Sequence, residues 1–160
     1  MKSGAKMTQD NFASIIKAIS DIAKKDVLIG IPDSAPDRRD GPISNAQIGY
    51  IQETGSPTNN IPARPFLVPG VQDVQAECAD RLGNAAGAAL DGSAEGANRQ
   101  LTSAGLIAEN SVKRKINSNI QPKLADSTLE ARRRRGVTRE NTLVDTAGMR
   151  NSVTSLVRNK

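Results

Sequence analysis

The sequence predicts an α+β fold: a small antiparallel or mixed sheet packed against two or three helices, with long proline-rich loops. Three observations carry that expectation. Apolar residues recur at helical spacing in several long stretches. Two short β-rich runs stand near opposite ends of the chain. The segments 32–44 and 61–70 each hold three prolines, which excludes a helix interior or an inner strand there.

The elements follow in chain order. Thr8 is a fit N-cap for a helix over 9–24, where Phe12, Ile15, Ile16, Ile19, Ile22 and Ala23 share one face. "DVLIGIP" reads as a buried strand over 26–31, ended by Pro32. Residues 32–44 read as a mobile loop or hairpin tip. Ser44 and Asn45 are placed to cap a short helix that Gly55 stops. After the second proline cluster, Pro69 is placed to start a helix over roughly 69–92, with Val71, Val74, Cys78 and Leu82 on one stripe. A turn near Asp91–Gly92 leads into another helix that aligns Leu101, Ala104, Ala108, Val112 and Ile116. Small residues from Gly83 to Ala89 allow the two to pack closely as an antiparallel pair. Pro122 begins a further helical stretch that runs through the arginines and stops at Gly136. Residues 136–142 read as loop. Asp145 and Thr146 offer a cap over one helical turn, and "SVTSLVRN" reads as a strand over 152–158 that pairs with 26–31.

Length suggests a single domain spanning 1–160, with the basic segment 120–142 as an arm. Apolar residues make up 37% of the chain and aromatics 2%, with no tryptophan, so little bulky apolar surface is available for burial. Such a chain is expected to complete its burial against other subunits. Histidine is absent, which removes the commonest general base and metal ligand. The lone Cys78 excludes an intrachain disulfide and reads as a small helix-packing residue. No phosphate-cradling glycine loop, nucleophile elbow or carboxylate pair stands out, so neither catalysis nor a cofactor is expected. No apolar run approaches the ~20 residues of a membrane span, and no signal peptide opens the chain. The expected place of synthesis is the cytoplasm.

The net charge of +5 is uneven. Residues 101–160 hold twelve Lys/Arg against five Asp/Glu, whereas 1–100 hold ten against twelve. The sharpest feature is the run Arg132, Arg133, Arg134 and Arg135. At a helix end it suits the negative pole of the macrodipole. It reads as solvated or protein-facing in preference to phosphate-binding, because no aromatics interleave for base stacking. Arg38 and Arg39, flanked by Asp37 and Asp40, read as a solvated turn. In "IPARPFLVPG", Phe66 reads as a plug for the local core, and Arg64 is a candidate for an inter-subunit ion pair. The interface candidates are therefore Arg64, Phe66, Arg38, Arg39 and the four consecutive arginines.

"NAQIGYIQETGSPTNNIPARPFLVPGV" resembles the central signature of the neck and tail-completion (head–tail joining, minor tail) components of tailed bacteriophages. That pattern reads A-x-I-x-x-x-x-E-x-G, a short polar loop, then I-P-A-R-P-F-L-x-P. Ala46, Ile48, Glu53, Gly55, Ile61, Pro62, Ala63, Arg64, Pro65, Phe66, Leu67 and Pro69 fit it. "VLIGIP" is similar to the family's preceding strand. "LVDTAGMRNSVTSLV" is similar to a second signature, L-x-D-T-G-x-L-x-x-S-I, through Leu143, Asp145, Thr146, Met149 and Ser152. Ala147 and Gly148 stand where that pattern has glycine followed by a polar residue.

The resemblance covers residues 26–72 and 120–158. It implies an α+β subunit of the virion, made in the host cytoplasm, that assembles into a six- or twelve-fold ring. That ring lies between portal-side and tail-tube proteins, as a collar, tail-completion or tail-terminator ring, without catalytic residues. Its loops 32–44 and 132–142 are expected to reach adjacent rings, and the arginine cluster stands open to non-specific contact with genomic DNA in the channel. The rival expectation is a basic nucleic-acid-binding protein that uses Arg132–Arg135.

Overall fold

The computed structural model describes residues 12–33 and 42–160. The expected cap at Thr8 and the tip of the 32–44 loop, with Arg38 and Arg39, lie outside the described residues. The fold is α+β. In chain order it runs α1 (Phe12–Ala23), β1 (Lys25–Gly30), α2 (Asn45–Thr54), α3 (Leu67–Gln72), α4 (Gln75–Leu90), α5 (Ala94–Asn117), α6 (Asp126–Arg134), α7 (Gly148–Asn151) and β2 (Thr154–Asn159). The sheet has two antiparallel strands in register from Lys25↔Asn159 to Gly30↔Thr154.

α5 is the wall on which the rest is built. It buries Ala97, Leu101, Ala104, Gly105, Ala108, Ser111, Val112 and Ile116, the stripe its spacing predicts. α4 folds back along it after the turn at Asp91–Ser93, where Gly92 takes φ 79° and Ser93 Oγ accepts the Gly96 N–H at 3.1 Å. α3, β1, β2 and α7 also pack on α5. Because its buried face is small, neighbours approach closely. A Cβ added at Gly70 of α3 would lie 2.8 Å from the Val112 Cα, and one at Gly105 would lie 3.0 Å from the Ser155 Cβ of β2. The apolar core gathers Phe66, Val112, Ile116, Leu143, Val144, Met149 and Val153.

Several expectations change. The single helix over 69–92 is two. α3 starts earlier, at Leu67, so that Pro69 is its third residue, where no N–H is needed. The chain then breaks at Asp73–Val74, just beyond the point where Gly70 docks α3 against Val112. On α4 the buried positions are Ala85 and Ala89, and Leu82 is 45% exposed, off the predicted stripe. α6 starts at Asp126, four residues beyond Pro122, and still ends before Gly136, whose φ is 76°. Asp145 and Thr146 do not cap α7, which has no side-chain cap. α1 buries none of its residues fully: Phe12, Ile15, Ile16 and Ile19 are 36–69% exposed. The side of α1 carrying Lys17, Asp21 and Ile22 lines a cavity of about 260 Å³ against α4 and α5.

A half-buried carboxylate ties sheet to wall. Glu109 on α5 accepts hydrogen bonds from Lys113 Nζ (2.6 Å) and Ser155 Oγ (2.8 Å). Burial pushes its pKa up, but those two donors and the Lys113 charge outweigh it, so the net shift is downward. A lowered folded-state value means that the group stabilises the fold above the ordinary carboxylate range. That contribution is lost as pH falls through the lowered value. Glu109→Gln should therefore cost about 1 kcal/mol at neutral pH. It should also reduce the loss of stability between pH 7 and pH 3, as read by urea unfolding; equal losses in wild type and variant would contradict this.

Candidate functional site

The two proline-bounded and loop-rich stretches that the sequence singled out are held by charged side chains bonded to backbone. α2 begins with a complete capping box: Ser44 Oγ accepts the Gln47 N–H (3.2 Å) and Gln47 Oε1 accepts the Ser44 N–H (3.0 Å). This sets the helical phase that turns Glu53 toward the proline loop. The Glu53 carboxylate accepts the N–H groups of Phe66 (2.7 Å), Leu67 (2.8 Å) and Val68 (3.1 Å). These are donors that a helix start leaves without partners, and the next residue, Pro69, has none to satisfy. Phe66, held there, is 2% exposed and sits in the core. It is the plug of the local core that the sequence suggests, with almost no surface left for a partner.

Arg64, expected to reach a neighbouring subunit, is 5% exposed and turns its guanidinium to its own chain. Its Nε donates to Pro122 O (2.7 Å) and its Nη2 to Lys123 O (3.1 Å). It braces residues 118–125 within its own chain. Arg132 does the equivalent for residues 136–147. Its Nη1 donates to Asn141 O (2.6 Å), Arg139 O (3.1 Å) and Val144 O (3.4 Å), and its Nη2 to Thr142 O (3.4 Å). Burial pulls the pKa of both guanidinium groups down. The nearby Arg132 charge lowers that of Arg64 further, while for Arg132 the pull of Asp145 works against burial. Arg132 is thus not solvated: it faces its own chain, not a partner.

The remaining three arginines of the run are exposed, and each meets an acid. Arg133 is 3.1 Å from Glu140, Arg134 is 3.9 Å from Glu130 and Arg135 is 2.8 Å from Asp145. Local positive charge is therefore largely offset, which weakens their pull on phosphates. Cys78 lies half-buried on α4 with Sγ 3.6 Å from Ala104 O, and burial raises its pKa, so it packs as expected. Among the described residues no group of three or more Cys, Asp or Glu converges to hold a metal ion. No described helix is long and apolar enough to cross a membrane.

The structure brings the two resembling stretches together, which the sequence does not announce. Asn45 Nδ2 donates to Ser152 Oγ at 2.9 Å, and Ser152 Oγ donates to Gly148 O at 3.0 Å. Between α2, α6 and residues 142–149 lies a cleft of about 240 Å³, walled by Ile48, Leu124, Leu143 and Met149 with Arg132 and Asp145. Its rim turns at Ala147, which takes φ 65°, the left-handed region that favours glycine.

Two outcomes follow from this geometry. Arg132→Ala should cost about 3–5 kcal/mol, and Arg132→Lys should recover less than half, because one ammonium cannot span the four carbonyls. Full rescue by lysine in denaturant unfolding would contradict the bracing role. Ala147→Gly should raise stability by about 0.5–1 kcal/mol by relieving the left-handed turn, and a fall would show that the turn is unstrained.

No model of a known family, no curated protein and no solved structure matches the chain.

Proposed function

We propose that the chain is a structural subunit of a tailed-bacteriophage neck, forming a ring that joins the DNA-filled head to the tail, and that it is not an enzyme. In this reading two or three helices and the sheet form the body of each subunit. The proline-rich loops and exposed helix faces form its contacts with copies of itself, with portal-side and with tail-tube proteins. The resemblance of residues 26–72 and 120–158 to the neck-component signatures is what suggests it.

The observation that carries the reading is the uncovered apolar side of α1. Ile16 is 51% exposed and Ile19 47%, on a helix that buries no residue fully. Tyr50 on α2 and Leu156 on β2 add apolar exposure elsewhere, at 70% and 58%. A subunit with unmet burial on several faces suits heterologous contacts, in which one face fits a different face of the next copy. Standard interfaces remove about 800 Å² per partner, which such faces would supply. The bond between Asn45 and Ser152, which ties the two signatures into one unit, supports it as well. The ion pairs that offset Arg133, Arg134 and Arg135 count against the rival nucleic-acid reading.

Native mass spectrometry and negative-stain imaging of the purified chain should show closed rings. Ile16→Glu with Ile19→Glu should leave the fold intact by circular dichroism and reduce assembly at least tenfold, since a charge buried without a partner costs more than ~1.4 kcal/mol. A rigid monomer at every concentration would overturn the reading.

A further inference from the structure

β2 has a strand on one side only, and the backbone on its other side is open. The Lys160 N–H donates to Lys24 O at 2.6 Å, in register with the ladder that sets Lys25 opposite Asn159 and Val27 opposite Val157. Bonded and non-bonded pairs alternate along an antiparallel ladder. Lys24 and Lys160 form a bonded pair, so Asp26–Arg158 and Leu28–Leu156 are bonded pairs too. Val157 and Asn159 belong to the pairs between, and their N–H and C=O groups point away from β1. Among the described residues those groups find no partner. The main packing partners of β2 are β1 and α5. An open groove of about 290 Å³ runs between residues 157–159 and Asn98 and Thr102 of α5, so this edge is reached from outside. Nearer the start of the strand Glu109 lies against Ser155 and accepts its Oγ, which limits the free stretch to the second half. An unpaired edge takes a further strand through backbone hydrogen bonds, and alternate side chains decide which strand fits.

The side chains beside that edge narrow the class of strand. Ser155 and Val27 lie against Gly105 of α5, so residues 156, 158 and 160 point to the opposite face of the sheet. There the Asp26 carboxylate lies 3.3 Å from Lys160 Nζ and 4.0 Å from Arg158 Nη2. One carboxylate faces two cations. Arg158 has a side chain 56% exposed and donates no hydrogen bond among the described residues. Two residues before it, Leu156 is 58% exposed. A strand added beside β2 sets its own side chains directly across from these. The complementary strand therefore carries an acid opposite Arg158 and, two residues away, an apolar side chain opposite Leu156. β1 of a second copy has that spacing in Asp26 and Leu28, but it arrives with Lys24 and Lys25 beside the acid and would add net positive charge to an edge already positive. Charge complementarity favours a foreign segment that is acidic.

We infer that the outer edge of β2 receives an extended, acidic segment of a partner protein, paired through the backbone of Val157 and Asn159, with a carboxylate on Arg158 and an apolar side chain on Leu156. The inference goes beyond the ring reading and does not depend on it, since it assigns to β2 a contact separate from the apolar face of α1.

A blocked heptapeptide reading Thr-Val-Thr-Glu-Thr-Val-Thr carries an acid two residues from valine in either direction, and serves as the probe. In isothermal titration the full chain should bind it about tenfold or more tightly than the same peptide with lysine in place of glutamate. Arg158→Glu, at an exposed position, should keep the circular dichroism of the wild type and reverse that preference. N-methylation of alternate peptide amides reads the backbone pairing. One alternate set should abolish binding and the other should leave it unchanged, because only one row of amides faces β2. Equal effects of the two sets, a lysine peptide bound as tightly as the glutamate one, or no binding of the probe at millimolar concentration would each overturn the inference. So would self-association of the wild type that Arg158→Glu abolishes, because the edge would then belong to a second copy. Those results leave ring formation through α1 standing, and a monomeric wild type that binds the probe as described would overturn the ring reading alone.

Discussion

Two buried guanidinium groups hold this chain's irregular segments in place, and the path of the backbone around residues 118–147 depends on them. Residues 118–125 and 136–147 contain no strand, so their carbonyls have no ladder to join. A carbonyl taken from water without a donor costs free energy. Arg64 supplies donors to Pro122 and Lys123, and Arg132 supplies them to Arg139, Asn141, Thr142 and Val144. Arginine suits this because its planar fork carries five donors and stays charged even when burial works against it. A chain with few large apolar side chains cannot pin loops of this length by packing alone, and here polar braces take over that role.

The same shortage shapes α5. Five of its eight buried positions are small (three alanines, one glycine and one serine), so neighbours close in on its backbone between the larger Leu101, Val112 and Ile116. Close approach retains dispersion contact where side-chain volume is missing. It also makes the packing intolerant of added atoms at Gly70 and Gly105. α1 packs on α4, yet among the described residues Ile16 and Ile19 stay about half exposed. In the proposed assembly a neighbouring copy would close that face.

Local signals in the sequence were legible where the cause was local. The cap at Ser44, the α5 stripe from Leu101 to Ile116, and the alternation that becomes β2 are each written within one helix or one strand. The break between α3 and α4 was not: it falls just beyond the contact of Gly70 with Val112, forty-two residues away in sequence. Leu82 misled because i,i+4 spacing from Cys78 looks as helical as the i,i+3 step to Arg81 that the structure turns inward. The arginine run was opaque for a sharper reason. Four identical residues carry no mark of which one faces in. Only the phase of α6 against the 136–147 segment selects Arg132, and that segment's path depends in turn on Arg132.

Asp145 shows how such mutual dependence is closed. One of its oxygens takes the Arg135 guanidinium, and the other lies near Arg132 Nε without a hydrogen bond. A carboxylate set between two arginines is held by charge from both sides, so its backbone has little freedom to relax. Two residues on, Ala147 keeps a left-handed conformation that costs an alanine about 1–2 kcal/mol. The strain persists because the ends of the turn are fixed on one side by Asp145 and on the other by Ser152, bonded to Asn45. The turn that shapes the cleft is therefore imposed by charges and hydrogen bonds outside it, and the residue in it need only tolerate the result.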